Sequence, residues 1–154
     1  MDAVLLDTDV FSYLLKRNDP RADPYRRHVR GKTVAVSFVT VGELYSGAEK
    51  KGWGNAKREG LEVRLRSVVI VPFDLDLCRT YATLCNLRNP DGSTRTLAAN
   101  DRWIAACAIR HALPLVSNNR RHFDDIPGLT LLSEAPRSRA PVPQRLPLPG
   151  TEPL

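Results

Sequence analysis

The chain has 154 residues and a mass of 17.2 kDa, the size of a single domain that can bury a core without help from disulfides or metals. Hydrophobic residues make up 42% and charged residues 26%, as in ordinary globular proteins, and no apolar run approaches the about 18 residues of a membrane span. The net charge of +6 favours an anionic partner, while the three cysteines (Cys78, Cys85, Cys107) fit neither a disulfide framework nor a zinc site.

The first predicted element is a buried strand at Ala3–Leu6, followed by a short amphipathic helix. This stretch has acidic residues where a secretion signal requires basic ones, so we expect an intracellular, cytoplasmic protein. Asp7 ends the strand and Asp9 follows two residues later. Asp9 or Thr8 could cap the helix, whereas the place of Asp7 at the strand tip favours a functional carboxylate.

The second predicted strand, Thr33–Ser37, leads into a helix on which Glu43 lies about one turn from the start. Glu43 shares its face of the helix with small and polar residues, namely Thr40, Ser46 and Gly47. A glycine inside a helix costs about 1 kcal/mol relative to alanine, so this face favours the close approach of a substrate over a merely solvated surface. Glu43 is therefore a second candidate carboxylate.

The third predicted strand, residues 68–73, lies between two helices, and a longer helix is predicted at residues 97–111. Asp101 lies on the apolar face of that helix, together with Ile104, Ala105, Ala108 and Ile109. An ionised carboxylate in such a place needs a partner, because its desolvation costs several kcal/mol. That partner is an arginine, for which Arg95 and Arg102 are nearby, a helix terminus or a metal ion.

The fourth and fifth predicted strands are residues 115–117 and 129–132. Asn118 and Asn119 follow the fourth strand, where they form an ordinary turn by composition but could also present amide oxygens to a cation or to water. His122 comes shortly afterwards. It is a candidate general base, although a lone histidine in a loop is more often simply solvated.

Strands that alternate with helices predict an α/β domain with a parallel sheet of about five strands flanked by helices. Ligands of such sheets gather at the carboxyl ends of the strands, so Asp7, Glu43 and Asp101 are expected to converge there. Carboxylate oxygens prefer Mg²⁺ or Mn²⁺, and such ions activate water for attack on a phosphoryl group. A polyanionic substrate matches the surplus of lysine and arginine.

A change in composition divides the chain near residue 135. Residues 1–134 carry the predicted elements, and residues 135–154 hold six of the twelve prolines together with several arginines. Proline removes the N–H groups that helices and sheets need, so we expect an extended tail. The tail is either dispensable or holds a partner or an RNA backbone.

Four segments, in this order, closely resemble those of the PIN-domain ribonucleases, specifically the VapC-type toxins of bacterial and archaeal toxin–antitoxin pairs. They are Val4-Leu-Leu-Asp-Thr-Asp-Val, Val39-Thr-Val-Gly-Glu-Leu-Tyr-Ser-Gly, Asn100-Asp-Arg-Trp-Ile-Ala-Ala and Leu115-Val-Ser-Asn-Asn-Arg-Arg-His-Phe. The resemblance covers about residues 1–133. Each segment alone is a weak signal, whereas the four together at these spacings are specific.

The resemblance implies a PIN-like three-layer sandwich and an endoribonuclease that uses Mg²⁺ or Mn²⁺ to hydrolyse RNA phosphodiester bonds. By motif position, Asp7, Glu43 and Asp101 form its acidic cluster and Asn119 takes the fourth place. Asp7 and Asp101 would be the principal metal ligands, and Glu43 would bind a second ion or orient the attacking water. The family also implies a homodimer that is neutralised by a cognate VapB-like antitoxin.

Two positions depart from the family pattern. Asp9 stands where the family often has asparagine, and Asn119 stands where many members have aspartate. An amide at position 119 lowers the negative charge of the cluster by one, which favours one tightly held ion over two.

Two alternative functions can be weighed on the sequence. The segment from Asp7 to Asp9 also fits the opening motif of haloacid-dehalogenase-like phosphatases, but that chemistry needs a later lysine and none follows Lys57. The second alternative is a catalytically weak PIN fold that only binds RNA or a partner. Such a module would be indifferent to removal of metal, whereas the nuclease would not.

Overall fold

The structure, a computed structural model, describes residues 2–137, in which five strands alternate with seven α-helices. The strands are β1 (Ala3–Leu6), β2 (Thr33–Ser37), β3 (Val69–Val71), β4 (Leu115–Val116) and β5 (Leu131–Leu132). The helices are α1 (Thr8–Leu15), α2 (Asp23–Val29), α3 (Phe38–Lys50), α4 (Asn55–Arg66), α5 (Leu75–Cys85), α6 (Ala99–Arg110) and α7 (Arg120–Phe123), and a 3₁₀ turn at Pro20–Ala22 precedes α2.

All five strands are parallel and lie in the order β3-β2-β1-β4-β5. This confirms the predicted α/β class, and β1 and β2 have the predicted bounds. The edge strands are shorter than predicted. β3 stops at Val71, because Pro72 has no N–H for the ladder and Asp74 caps α5 by accepting from the Leu77 N–H at 2.6 Å. β5 starts late because the Leu129 N–H donates to the Ile126 carbonyl in a turn.

The sheet separates two hydrophobic layers, because successive residues of a strand point to opposite faces. In β1, Leu5 packs with the layer of α5 and α6, whereas Val4 and Leu6 pack with the layer of α1, α2 and α4. All three residues are almost fully buried, as expected of a central strand covered on both faces. The molecule is therefore a three-layer sandwich, and every parallel strand delivers its carboxyl end to the same edge.

Two helices were not among the sequence-based predictions. The helix α2 has Tyr25 as its single buried residue, and α7 is only four residues long. The predicted tail lies outside the described residues, apart from residues 135–137. Among the described helices, none has both the length and the apolar character needed to cross a bilayer.

Candidate active site

Asp7 joins two neighbouring strands at the carboxyl edge of the sheet. Its carboxylate is 5% exposed; Oδ1 accepts from the Thr8 N–H at 2.7 Å and Oδ2 accepts from the Ser117 hydroxyl at 2.7 Å. Asp7 is also the N-cap of α1, so the interpretation that Thr8 or Asp9 caps this helix is wrong. The Thr8 hydroxyl donates to Glu43 instead, and Ser117, which directly follows β4, is fully buried.

Asp9 lies in the first turn of α1 and holds the loop after β4. Its Oδ1 accepts from the Val10 N–H at 2.6 Å and its Oδ2 accepts from the Asn118 N–H at 3.1 Å. The Asn118 side-chain oxygen in turn accepts from the Tyr25 hydroxyl at 2.7 Å. Tyr25 thus anchors the loop from α2, a role that the sequence did not indicate because α2 shows too little apolar periodicity to be recognised.

Glu43 lies on α3 and is fixed by the first residue of α1. The Thr8 hydroxyl donates to Glu43 Oε1 at 2.9 Å and lies 3.1 Å from Oγ1 of Thr40, one turn earlier on α3. Ser37 ends β2 and caps α3 by accepting from the Thr40 N–H at 3.1 Å. Glu43 therefore faces the end of β1, as its place in the sequence predicted.

Asp101 is partnered by a histidine and not by an arginine. Arg95 donates to the carbonyl of Asp124 at 2.6 Å and Arg102 to the carbonyl of Leu97 at 2.8 Å, so both predicted arginine partners are engaged elsewhere. Oδ2 of Asp101 lies 2.6 Å from Nδ1 of His122, on α7.

Asn119 completes this part of the site. Its side-chain amide nitrogen lies 2.7 Å from the same imidazole nitrogen of His122, and its backbone N–H donates to the Ser117 hydroxyl at 2.9 Å. His122 is half-exposed, but it is not simply a solvated loop histidine, because it contacts both Asp101 and Asn119.

Three carboxylates of the site interact electrostatically. Burial, followed by the nearby charge of Asp9 and with a further contribution from Asp101, raises the pKa of Asp7 to about 7. Burial is also the main cause that raises the pKa of Asp9, and Asp101 adds to it. The edge of the sheet is thus a region of concentrated negative charge, where either protons or a cation relieve the repulsion.

The carboxylate and amide oxygens of the site suit a hard cation, although they do not surround a common position. Within residues 2–137, no group of three or more His, Cys, Asp or Glu side chains is arranged to hold a metal ion. Glu43 is turned to Thr8 and Asp101 to His122, while Asp7 and Asp9 accept backbone N–H groups. Carboxylate and amide oxygens are nevertheless the ligands that Mg²⁺ and Mn²⁺ prefer, so the chemistry of the set fits such an ion.

The sequence of residues 4–129 matches the profile of the PIN domain family. This chain belongs to that family. Within it, the PIN domain is 30% identical over 122 residues to Ribonuclease VapC2 of Haemophilus influenzae strain Rd, an alignment that covers 79% of this chain and 90% of the relative. The domain is therefore of the VapC type, and the family resemblance drawn from the four segments is confirmed.

Solved structures of similar proteins have the same fold as this PIN domain. VapBC-1 from nontypeable Haemophilus influenzae has a TM-score of 0.67 and 27% identity, covering 85% of this chain and 97% of the other. VapBC2 from Rickettsia felis, solved with a DNA fragment from its promoter, has a TM-score of 0.72 and 24% identity, covering 85% and 98%. The predicted PIN-like sandwich is confirmed, whereas the roles of Asp7, Glu43, Asp101 and Asn119 stay predictions.

Proposed function

We propose that this VapC-type ribonuclease is an endoribonuclease that depends on Mg²⁺ or Mn²⁺, with Asp7, Glu43, Asp101 and Asn119 as its site residues. The observation that carries the proposal is the place of Asp7, which is buried where β1 ends, is held by the Thr8 N–H and the Ser117 hydroxyl, and lies close enough to Asp9 and Asp101 for their charges to raise its pKa. The hydrogen bonds that Asp7 and Asp9 accept offset only part of the cost of burying these acids side by side. A bound cation would turn this cost into affinity.

Asp7 and Asp101 would hold the cation, because they come from β1 and α6 to the same edge of the sheet. A divalent cation bound there polarises a phosphoryl oxygen and lowers the pKa of a water molecule. Glu43, which the Thr8 hydroxyl orients at 2.9 Å, would bind a second ion or orient the attacking water. Asn119 would orient that water through its amide group.

The proposal is tested by incubating total cellular RNA with the purified protein and Mg²⁺ or Mn²⁺. We expect discrete fragments, which disappear with EDTA and with Asp7→Asn. Asp124→Asn is a matched control, since this carboxylate pairs with Arg120 at 3.4 Å and is not among the charges that raise the pKa of Asp7. Cleavage that survives both EDTA and Asp7→Asn would contradict the metal site. Metal-independent RNA binding without cleavage would favour the alternative of a catalytically weak binding module.

The proposal includes an antitoxin partner in the cytoplasm, because the relatives above were solved as VapBC complexes, one of them on promoter DNA. Expression of this chain alone is expected to arrest bacterial growth, and co-expression of a cognate VapB-like protein to restore it. Growth arrest by the Asp7→Asn variant would show that toxicity does not come from cleavage.

A homodimer is part of the same proposal. Phe73 and Leu75 are 72% and 74% exposed, and they adjoin the edge strand β3, where Val69 and Ile70 are also exposed. Exposed apolar side chains beside an open strand edge mark an association surface. The molar mass of the wild type in solution is expected to be that of a dimer, and Phe73→Glu with Leu75→Glu is expected to halve it.

A further inference from the structure

A groove leads away from the acidic site between α1 and α3. Close to the site it is lined by Thr8, Glu43 and Gly47, and farther along by Lys51 and Trp53. A second cavity continues it towards α4 and shares Lys16, Lys51 and Trp53 with the first. We call this continuous channel the α1–α3 groove, defined by Thr8, Lys16, Glu43, Lys51, Trp53, Lys57 and Arg64.

Trp53 is held rigidly at the far end of this groove. The helix α3 ends at Lys50, and Gly52 follows two residues later with a φ of +61°. The Gly52 N–H donates to the Glu49 carbonyl at 2.9 Å, and the Trp53 N–H donates to the Ala48 carbonyl at 3.0 Å. This pair of bonds is a Schellman motif, in which glycine adopts the left-handed conformation without strain. The indole packs in part against the core, so little conformational freedom is lost when a ligand contacts it.

The cations of the groove are unpaired. Within residues 2–137, Lys16, Lys51, Lys57 and Arg64 do not lie within ion-pair distance of any carboxylate. The Lys57 ammonium lies over the Trp53 ring, 5.9 Å from its centre, and this flexible side chain would move to a phosphate when a base stacks there. Unpaired cations that flank an aromatic face are the arrangement that binds single-stranded nucleic acid, since the cations neutralise phosphates and the ring stacks on a base.

A second groove also starts at Glu43 but fits this ligand less well. It runs between α3 and α6 and has a single cation in its lining, Lys50. Its tryptophan, Trp103, is already stacked on Tyr81 with the ring centres 3.8 Å apart. The α3–α6 groove therefore offers neither the charge nor a free aromatic face.

We infer that the α1–α3 groove binds a single-stranded RNA segment on one side of the bond that is cut, with a base on Trp53 and phosphates on the four cations. The inference rests on the proposed function and extends it to the path of the substrate. Eight residues of helix separate Glu43 from Lys51, a rise of about 12 Å. That is the length of three or four stacked nucleotides at about 3.4 Å each. A substrate should thus need several unpaired nucleotides on the side of the cleaved bond that lies in the α1–α3 groove.

Tryptophan fluorescence tests the path directly, because the chain has two tryptophans, Trp53 and Trp103. The probe is a nuclease-resistant 2′-O-methyl oligouridylate of about 12 nucleotides, long enough for a single-strand site. We expect it to quench the fluorescence of the wild type and of Trp103→Phe, and to leave Trp53→Phe unchanged. Quenching that persists in Trp53→Phe and is lost in Trp103→Phe would place the RNA in the α3–α6 groove and overturn the inference.

Kinetics provide a second test that does not depend on Trp53. Lys51→Ala is compared with Lys32→Ala, whose side chain belongs to the turn before β2, at the opposite edge of the sheet. The substrate is an oligonucleotide of about 12 nucleotides that contains the mapped cleavage site. Lys51→Ala should raise KM for it several-fold without changing kcat. The slope of log KM against log salt concentration should also decrease by about one, the value expected for one lost phosphate contact. With about four nucleotides centred on the cleavage site the two variants should be alike, because the two nucleotides on each side of the cleaved bond do not reach Lys51.

The outcomes separate this inference from the proposed function. If the wild type cleaves RNA with metal while KM and quenching are the same in all groove variants, the nuclease stands and the RNA path is wrong. If Trp53→Ala instead prevents binding of the VapB-like protein and leaves KM for RNA unchanged, the groove belongs to a protein partner. A circular dichroism melt of each variant verifies that the fold is retained.

Discussion

Nδ1 of His122 lies 2.6 Å from Oδ2 of Asp101, and this contact joins α7 to α6 across the acidic site. The Asp101 side chain is only 17% exposed, so few water molecules can hydrogen-bond to its carboxylate. Because Oδ2 is occupied by the imidazole, the second oxygen remains for a cation or a substrate water. We therefore expect His122 to act as a positioning residue for Asp101.

Replacing His122 should weaken the metal site without unfolding the protein. His122→Ala removes the imidazole that holds Asp101, and loss of such a supporting contact typically costs about 10–100-fold in metal affinity or activity. His122→Asn can place an amide N–H near the position of Nδ1 and is expected to restore part of the loss. The measurement is kcat/KM at several Mg²⁺ concentrations. Equal losses in both variants, without a change in the Mg²⁺ requirement, would contradict the positioning role.

The same contact illustrates where sequence reasoning stops. Asp7, Glu43 and Asp101 could be predicted because each follows from a strand end or from a helix face, and these are local patterns. The His122 contact depends on the four-residue helix α7, which is too short to show a period. Likewise, the Tyr25 bond to Asn118 joins residues far apart in the chain through α2, whose single buried residue gives no amphipathic signal.

The strand bounds also fall into those that local sequence patterns predict and those that they do not. The bounds of β1 and β2 were predictable because their apolar runs are buried on both sides. The ends of β3 and β5 were not, because Pro72 and the turn at Gly128 withdraw backbone groups from the ladder while the apolar sequence continues.

The metal-free protein should be less stable at pH 8 than at pH 5. The pKa of Asp7 is about 7 in the fold against 3.8 in the unfolded chain, so between these values the native state binds the additional proton. Stability is therefore full below about pH 4 for this group and is lost as the pH rises through about 7; of a total loss of about 4 kcal/mol, about 3 kcal/mol falls between pH 5 and pH 8. Urea unfolding in EDTA at the two pH values measures the difference.

Asp7→Asn provides the control for this pH dependence. The neutral amide keeps an acceptor for the Thr8 N–H but carries no charge, so most of the slope between pH 5 and pH 8 should vanish and the variant should be the more stable protein at pH 8. A wild type whose free energy of unfolding rises with pH over this range would show that Asp7 does not govern it.

Magnesium should restore part of the stability that is lost at pH 8. A cation that binds only the native state adds about 1.4 kcal/mol at ten times its Kd, which corresponds to about 3–6 °C in Tm for a chain of this size. We expect this rise in the wild type and in Asp124→Asn, but not in Asp7→Asn or Asp101→Asn. A thermal shift that is identical in all four proteins would mean that Mg²⁺ binds elsewhere.

We predict that Gly47 leaves room for RNA to approach Glu43 and that it does not stabilise α3. An added Cβ would have no atom within 4 Å, and φ is not in the left-handed region, so Gly47→Ala should stabilise α3 by up to about 1 kcal/mol. A larger side chain would stand beside Glu43 in the α1–α3 groove, so Gly47→Leu should fold but cleave RNA poorly. Gly47 also lines the α3–α6 groove, so Gly42→Leu is the matched control: Gly42 lies on the same helix and lines the α3–α6 groove but not the α1–α3 groove. Tm and kcat/KM decide the matter: if Gly42→Leu is impaired more strongly than Gly47→Leu, the substrate approaches Glu43 from the side of α6.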